Sequence, residues 1–167
     1  MTKKTSSDGQ TAFTCPSPLL DSTNLRILKE LHADPRLPVA RLARKVQMSA
    51  PAVTERVQRL REAGVIVGFR MDLDPRALGL PVAAYVRIRP APGQLTRVAE
   101  LARKIPQVVE CHRITGEDCF LMRIHVAEVQ HIEAILDRFL AYGQTTTSIV
   151  QSSPVAPRSL PLPDGAR

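Results

Sequence analysis

Between Ser49 and Gly64 the sequence SAPAVTERVQRLREAG is constrained at both ends and along its length to form one short amphipathic helix. Ser49 is a natural N-cap, because its hydroxyl accepts a backbone N–H that the first turn leaves unpaired. Pro51 suits that first turn, where its missing N–H costs nothing. Val53, Val57 and Leu60 stand at i, i+4 and i+7 and make one apolar stripe. Gly64 supplies the C′ position that closes a helix.

The preceding residues supply two more helices. Asp21 caps the first, with Leu25, Leu28 and Leu31 at helical spacing, and Pro35 ends it. The second runs from Val39 to about Val46, with Val39, Leu42, Ala43 and Val46 on one face. Val65 to Leu73 reads as a strand. After Asp74-Pro75 and Gly79 the pattern changes. Pro81–Arg89, Val108–Thr115, Cys119–Val126 and Thr145–Val150 read as strands, with helices at Gln94–Lys104 and Val129–Leu140. Gly116-Glu117-Asp118 marks a hairpin. The order β-α-β-β-α-β is that of the ferredoxin-like split unit. The expected class is therefore α+β: a helix-turn-helix over 19–70, a strand or linker at 71–80, and a ferredoxin-like domain over 81–153. The Ser/Thr/Lys-rich segment 1–18 and the proline-rich segment 154–167 read as tails without fixed structure.

Two helices, a tight turn and a third amphipathic helix can brace that third helix against DNA phosphates while its outer face enters the major groove. Ser49 and Pro51 begin that helix, and Thr54 and Gln58 are placed to meet base edges. Arg41, Arg44, Arg56, Arg59 and Arg61 are placed for phosphates, which fix register without reading sequence. The charge agrees. The chain carries +7, and residues 19–79 hold 11 Lys/Arg against 7 Asp/Glu, whereas 80–153 are nearly balanced. The same spacing also fits a plain three-helix bundle with a solvated face, in which Glu55 and Arg59 pair at i, i+4.

Other classes find little support. No apolar run reaches the ~20 residues that span a bilayer, and Lys3 and Lys4 are followed by no apolar block, so a cytoplasmic protein is expected. His32, His112, His125 and His131 lack metal-ligand spacing. Cys15, Cys111 and Cys119 form no CxxC pair. With neither a phosphate loop nor a nucleophile motif, no enzyme, cofactor or metal is expected. The alternative from another class is a small-molecule sensor whose helical domain makes protein contacts only.

The stretch LDSTNLRILKELHADPRLPVARLARKVQMSAPAVTERVQRLREAGVIVGF resembles the N-terminal half of the Lrp/AsnC (feast/famine) regulators. Leu20-Asp21, Ile27-Leu28, Leu42-Ala43, Ser49, Arg56, Leu60 and Gly64-Val65-Ile66 carry the likeness. It continues through Leu73-Asp74-Pro75, Gly79 and Ile114-Thr115-Gly116-Glu117, covering about residues 19–152. The resemblance implies a winged DNA-binding domain and a ferredoxin-like (ACT-like) domain for effector binding and oligomerisation. It also implies homodimers assembling into octamers or other even-numbered rings, imperfect palindromes in double-stranded DNA, and an amino-acid effector near the Gly116 hairpin.

The hairpin departs from the family pattern. Where Gly, an acid, an aromatic, Asp and an aromatic are common, this chain has Gly116-Glu117-Asp118-Cys119-Phe120. Cys119 takes the usual Asp position. An effector site here would use Gly116, Glu117, Asp118 and Cys119, with the Asp118 carboxylate facing the ligand's ammonium. Cys119 is also readable as a small hydrophobe or an oxidation sensor. With residues 116–118 as the loop, Cys119 falls opposite Thr115 and Cys111 opposite Arg123, which argues against a disulfide between them.

Overall fold

A computed structural model describes residues 19–163. The segment 1–18 and the end of the proline-rich tail, 164–167, lie outside the described residues, while 154–163 form neither helix nor strand. The chain divides into two units near residue 70, and residues 157–163 group with the first.

The first unit holds three helices, α1 (Ser22–Ala33), α2 (Val39–Val46) and α3 (Ala50–Glu62). Each end has a local cause. Asp21 caps α1 by accepting the Asn24 N–H at 2.6 Å. Ser49 caps α3 through the Ala52 N–H at 3.4 Å, and Gly64 follows it at φ +72°. Between α2 and α3 the chain reverses at Gln47, a non-glycine residue in the left-handed region at φ 59°. Its N–H reaches the end of α2, and the Met48 N–H donates to Ala43 at 2.9 Å. Ile27, Leu31, Leu42, Ala43, Val46, Val53 and Leu60 make the core. Fully burying residues such as Leu60 and Val53 contributes about 1.5–3 kcal/mol each.

The strand expected from Val65 to Leu73 does not form. This segment is irregular, and no described strand pairs with it. A strand needs a neighbour to take its N–H and C=O groups, and composition alone cannot supply one.

The second unit contains β1 (Val82–Pro90), α4 (Leu95–Arg103), β2 (Val108–Arg113), β3 (Phe120–Val126), α5 (Gln130–Leu140) and β4 (Gly143–Ile149). The sheet is antiparallel in the order β2-β3-β1-β4. Side chains alternate across it. Ala84, Val86, Ile88, Phe120, Met122 and Ile124 pack with Val98, Ala102, Ile132, Ile135 and Phe139 of the two helices. Tyr85, Arg87 and Arg89, with their neighbours Leu121, Arg123, Thr146 and Ser148, lie on the face without helices.

The hairpin register differs by one residue from the sequence reading. Arg113 pairs with Phe120 and Cys111 with Met122. Ile114, not Thr115, therefore stands opposite Cys119, and the Ile114 N–H donates to the Cys119 carbonyl at 3.0 Å. A one-residue slip reverses which face a side chain meets, so Cys111 shares the helix-covered side with Met122. The two thiols remain unpaired with each other, and both are free.

Candidate nucleic-acid interface and effector hairpin

The core fixes the orientation of α3. Val53 and Leu60 are fully buried, so the residues about half a turn away must face out. Pro51, Thr54, Gln58, Arg59 and Arg61 are exposed, as are Ser49 at the cap and Arg41 and Arg44 on α2. The sequence-expected groups are thus exposed, with one exception.

That exception is Arg56. The sequence places it among phosphate contacts, but its guanidinium turns inward across the domain. Its Nη1 donates to Asp21 Oδ2 at 2.7 Å and to Asn24 Oδ1 at 3.0 Å. Asn24 is almost fully buried, and its Nδ2 donates to the Leu19 carbonyl at 2.7 Å. Arg56 therefore ties α3 to the start of α1. The Asn24 N–H and then the Arg56 side chain hold the Asp21 carboxyl below the usual aspartate range. Sequence periodicity puts Arg56 only at the flank of the buried stripe. Its partners, 32 and 35 residues away, leave no local signal.

The other side chains have local partners. Arg59 hydrogen-bonds Glu55 one turn back. Gln58 Nε2 donates to Glu62 Oε1 at 2.9 Å, and Thr54 Oγ1 to the Ala50 carbonyl at 2.9 Å. Arg61 lies over the Phe69 ring, 5.3 Å from its centroid. Arg44 Nε reaches the Ala40 carbonyl at 3.3 Å. Glu55 and Glu62 were not among the expected site residues, yet both are exposed on the outer side of α3.

In the second unit the hairpin turns at Gly116, whose φ of +111° is open only to glycine at low cost. The Cys119 N–H donates to the Ile88 carbonyl at 2.9 Å. Arg89 hydrogen-bonds Glu117, and Asp118 lies 3.7 Å from Arg89 and 3.8 Å from Arg87. The Asp118 carboxylate, expected to meet an ammonium, already faces two guanidinium groups. Cys119 Sγ sits 3.9 Å from the Glu117 carbonyl. On the helix side of the hairpin's base, a hollow of about 300 Å³ is lined by Ala99, Ala102, Arg103, Cys111, Arg113 and Phe120. Small side chains on α4 leave this part of the edge strand uncovered.

Comparisons with known proteins agree with both units. A model described as winged helix-turn-helix DNA-binding matches residues 20–67, and one described as Lrp/AsnC ligand binding domain matches residues 83–160. The HTH-type transcriptional regulator LrpC of Bacillus subtilis is 32% identical over 133 residues, 80% of this chain and 92% of LrpC. Its solved structure superposes with a TM-score of 0.77 at 31% identity, covering 83% of this chain and 99% of that one. The proline dehydrogenase transcriptional activator of Rhodobacter capsulatus is 34% identical over 149 residues, 86% of this chain and 97% of that protein. The transcriptional regulator NMB0573 of Neisseria meningitidis, solved as a complex with L-Met, gives a TM-score of 0.77 at 26% identity, covering 85% of this chain and 96% of that one.

Proposed function

The chain belongs to the Lrp/AsnC family of HTH-type transcriptional regulators, and we propose that it acts by placing α3 from each of two copies in the major groove of an imperfect palindrome. One observation carries this reading. Burial of Val53 and Leu60 turns Pro51, Thr54, Gln58 and Arg61 outward together. Thr54 and Gln58 meet base edges, while Arg41, Arg44 and Arg61 meet phosphates; Arg59, expected among them from the sequence, is paired with Glu55. Ser49 and Pro51 set the helix start that approaches the groove. A mobility-shift titration with DNA upstream of the protein's own gene tests this. Absence of any complex at low salt would defeat it.

The second copy is supported by two surfaces. The helix-free face of the sheet carries Tyr85 and Leu121 among polar groups, and a partner sheet is the usual cover for such a face. The segment after α3 exposes Val67 by 95% and Met71 by 76%. A second copy covering them would take this apolar surface out of water. Dimers then assemble into an octamer or another even-numbered ring. Sedimentation equilibrium reads the assembly directly, and a monomer at micromolar concentration would refute it.

The effector is an amino acid, bound where Gly116, Glu117, Asp118 and Cys119 meet Arg87 and Arg89. The L-Met complex of the similar Neisseria protein supports this class of ligand. An entering ammonium competes with Arg87 and Arg89 for Asp118, and its carboxylate can take the guanidinium released. Calorimetric titration with each of the common amino acids tests the site, and no heat from any of them would remove it. No helix among the described residues is long and apolar enough to cross a membrane, which suits a cytoplasmic regulator.

A further inference from the structure

We propose that Glu55 is a base-reading residue that selects cytosine, and that Arg59 is the positioning residue holding it; this rests on the docking of α3 proposed above. On a helix whose buried side is set by Val53 and Leu60, a 100° step per residue puts Pro51, Glu55, Gln58 and Glu62 about the outermost line. Glu55 is the acid nearer the N-terminal end, which leads into the groove in helix-turn-helix docking. Its side chain is 61% exposed.

A carboxylate entering a groove walled by phosphates is repelled unless a donor meets it. In the major groove the base donors are the cytosine N4 and adenine N6 amino groups. Adenine places its N7 acceptor beside N6, and a carboxylate faces that lone pair unfavourably. On cytosine the other side of N4 is a C5–H, leaving an acceptor on one side only, so its N4–H is the favoured partner of a glutamate. Arg59, four residues on, hydrogen-bonds the Glu55 carboxylate and offsets its charge. The pair therefore carries the acid toward the bases with part of its charge offset. Phosphate contacts alone do not need an acid here, and the Glu55–Arg59 pair lowers rather than raises the pull on the backbone.

The test is selection from randomised duplex DNA by the full chain, run in parallel with wild type, Glu55→Gln and Glu55→Ala. Glu55 is exposed, so both variants retain the core, which circular dichroism checks. Wild type is expected to fix cytosine at one position per half-site, by about tenfold over other bases. Glu55→Gln should move that position to adenine, because an amide can donate to N7 and accept from N6. Glu55→Ala should flatten it and strengthen binding to unrelated DNA several-fold by removing a negative charge. Arg59→Ala should reduce the cytosine preference without creating a new one. The same cytosine selected by Glu55→Gln and Glu55→Ala would overturn the assignment while leaving the regulator reading intact. No motif from wild type would overturn the DNA-docking reading itself, and Glu55 with it.

Discussion

Replacing Arg56 by alanine separates two roles that a sequence cannot distinguish. If Arg56 bound a DNA phosphate, its removal would weaken DNA binding and reduce the salt slope by about 0.9. The geometry calls for a stability defect instead. Arg56 holds Asp21 at 2.7 Å and Asn24 at 3.0 Å. The Asp21 pair is one-third exposed on the arginine side and half exposed on the aspartate side, so solvent screening leaves it about 0.5–1 kcal/mol. Asn24 Oδ1 is different, because Asn24 is 5% exposed and would be deprived of its donor in a buried place. That costs about 1–2 kcal/mol. Together the penalty is about 2 kcal/mol, which for a unit of this size lowers the midpoint by about 10–15 °C.

The two tyrosines, Tyr85 and Tyr142, both lie in the second unit and there is no tryptophan. Intrinsic fluorescence therefore misses the relevant transition. Hydrogen exchange on peptides spanning α1 and α3 reads it. Arg56→Ala should lower protection there by a factor of about 30, the equivalent of about 2 kcal/mol, and keep it in β1 and β3. Binding to specific DNA, measured cold where the head stays folded, should keep the wild-type salt slope. Arg56→Lys should rescue part of the protection, since one ammonium can reach a single acceptor well. Unchanged protection with a shallower salt slope would show that Arg56 meets phosphate after all.

The Asp21 carboxyl is held below the usual range by the Asn24 N–H and Arg56. A depressed folded pKa stabilises above the unfolded value of about 4 and that stability disappears as pH falls through the folded one. Asp21→Asn, which keeps the cap, should therefore reduce the loss of stability of the first unit on acidification below about pH 4 in acid-denaturation curves. At Gly143 an added Cβ would sit 2.8 Å from Pro90 Cα and collide with the Arg89 carbonyl, both backbone. Gly143→Ala should cost about 1–3 kcal/mol in urea melts of the second unit and loosen the β1–β4 pair. Burial raises the Cys111 thiol, with Arg103 opposing. Its alkylation at about pH 7.5 should be slower than that of a free thiol peptide, and should accelerate on raising the pH beyond the point where the peptide rate levels off. Gly116→Ala should destabilise the hairpin by about 1 kcal/mol or more, seen as faster exchange at Ile114 and Cys119.

What the sequence reveals depends on how far apart the interacting groups lie. Asp21, Ser49, Pro51 and Gly64 act on backbone within one turn, so the ends of α1 and α3 are legible. Periodicity likewise gives the order of the second unit, because each strand and helix carries its own alternation. The turn at Gln47 is hidden, since no glycine marks its left-handed backbone. The hairpin register is hidden by a single residue, because Gly116 fits a loop of three or of four. The strand at 65–73 fails for another reason: alternation states that one face is apolar, but a ladder needs a second strand. The contacts of Arg56 are hidden because Asn24 and Asp21 share no pattern with it.

These pairings also change how the charge should be used. A net +7 suggests a broadly attractive surface, yet many cations are neutralised locally. In the first unit Lys45 meets Glu30, Arg56 meets Asp21, and Arg59 meets Glu55. Arg41, Arg44 and Arg61 face no carboxylate within ion-pair distance among the described residues. Contacts from these three arginines alone give a salt slope of about −2.7 per head, or about −5 for two heads on one palindrome. Counting every expected arginine would give about −4.5 per head. The difference is large enough to measure. It also has a physical sense: the fewer phosphates a head engages, the more weakly it binds unrelated DNA, so discrimination falls to the groups on the outer line of α3.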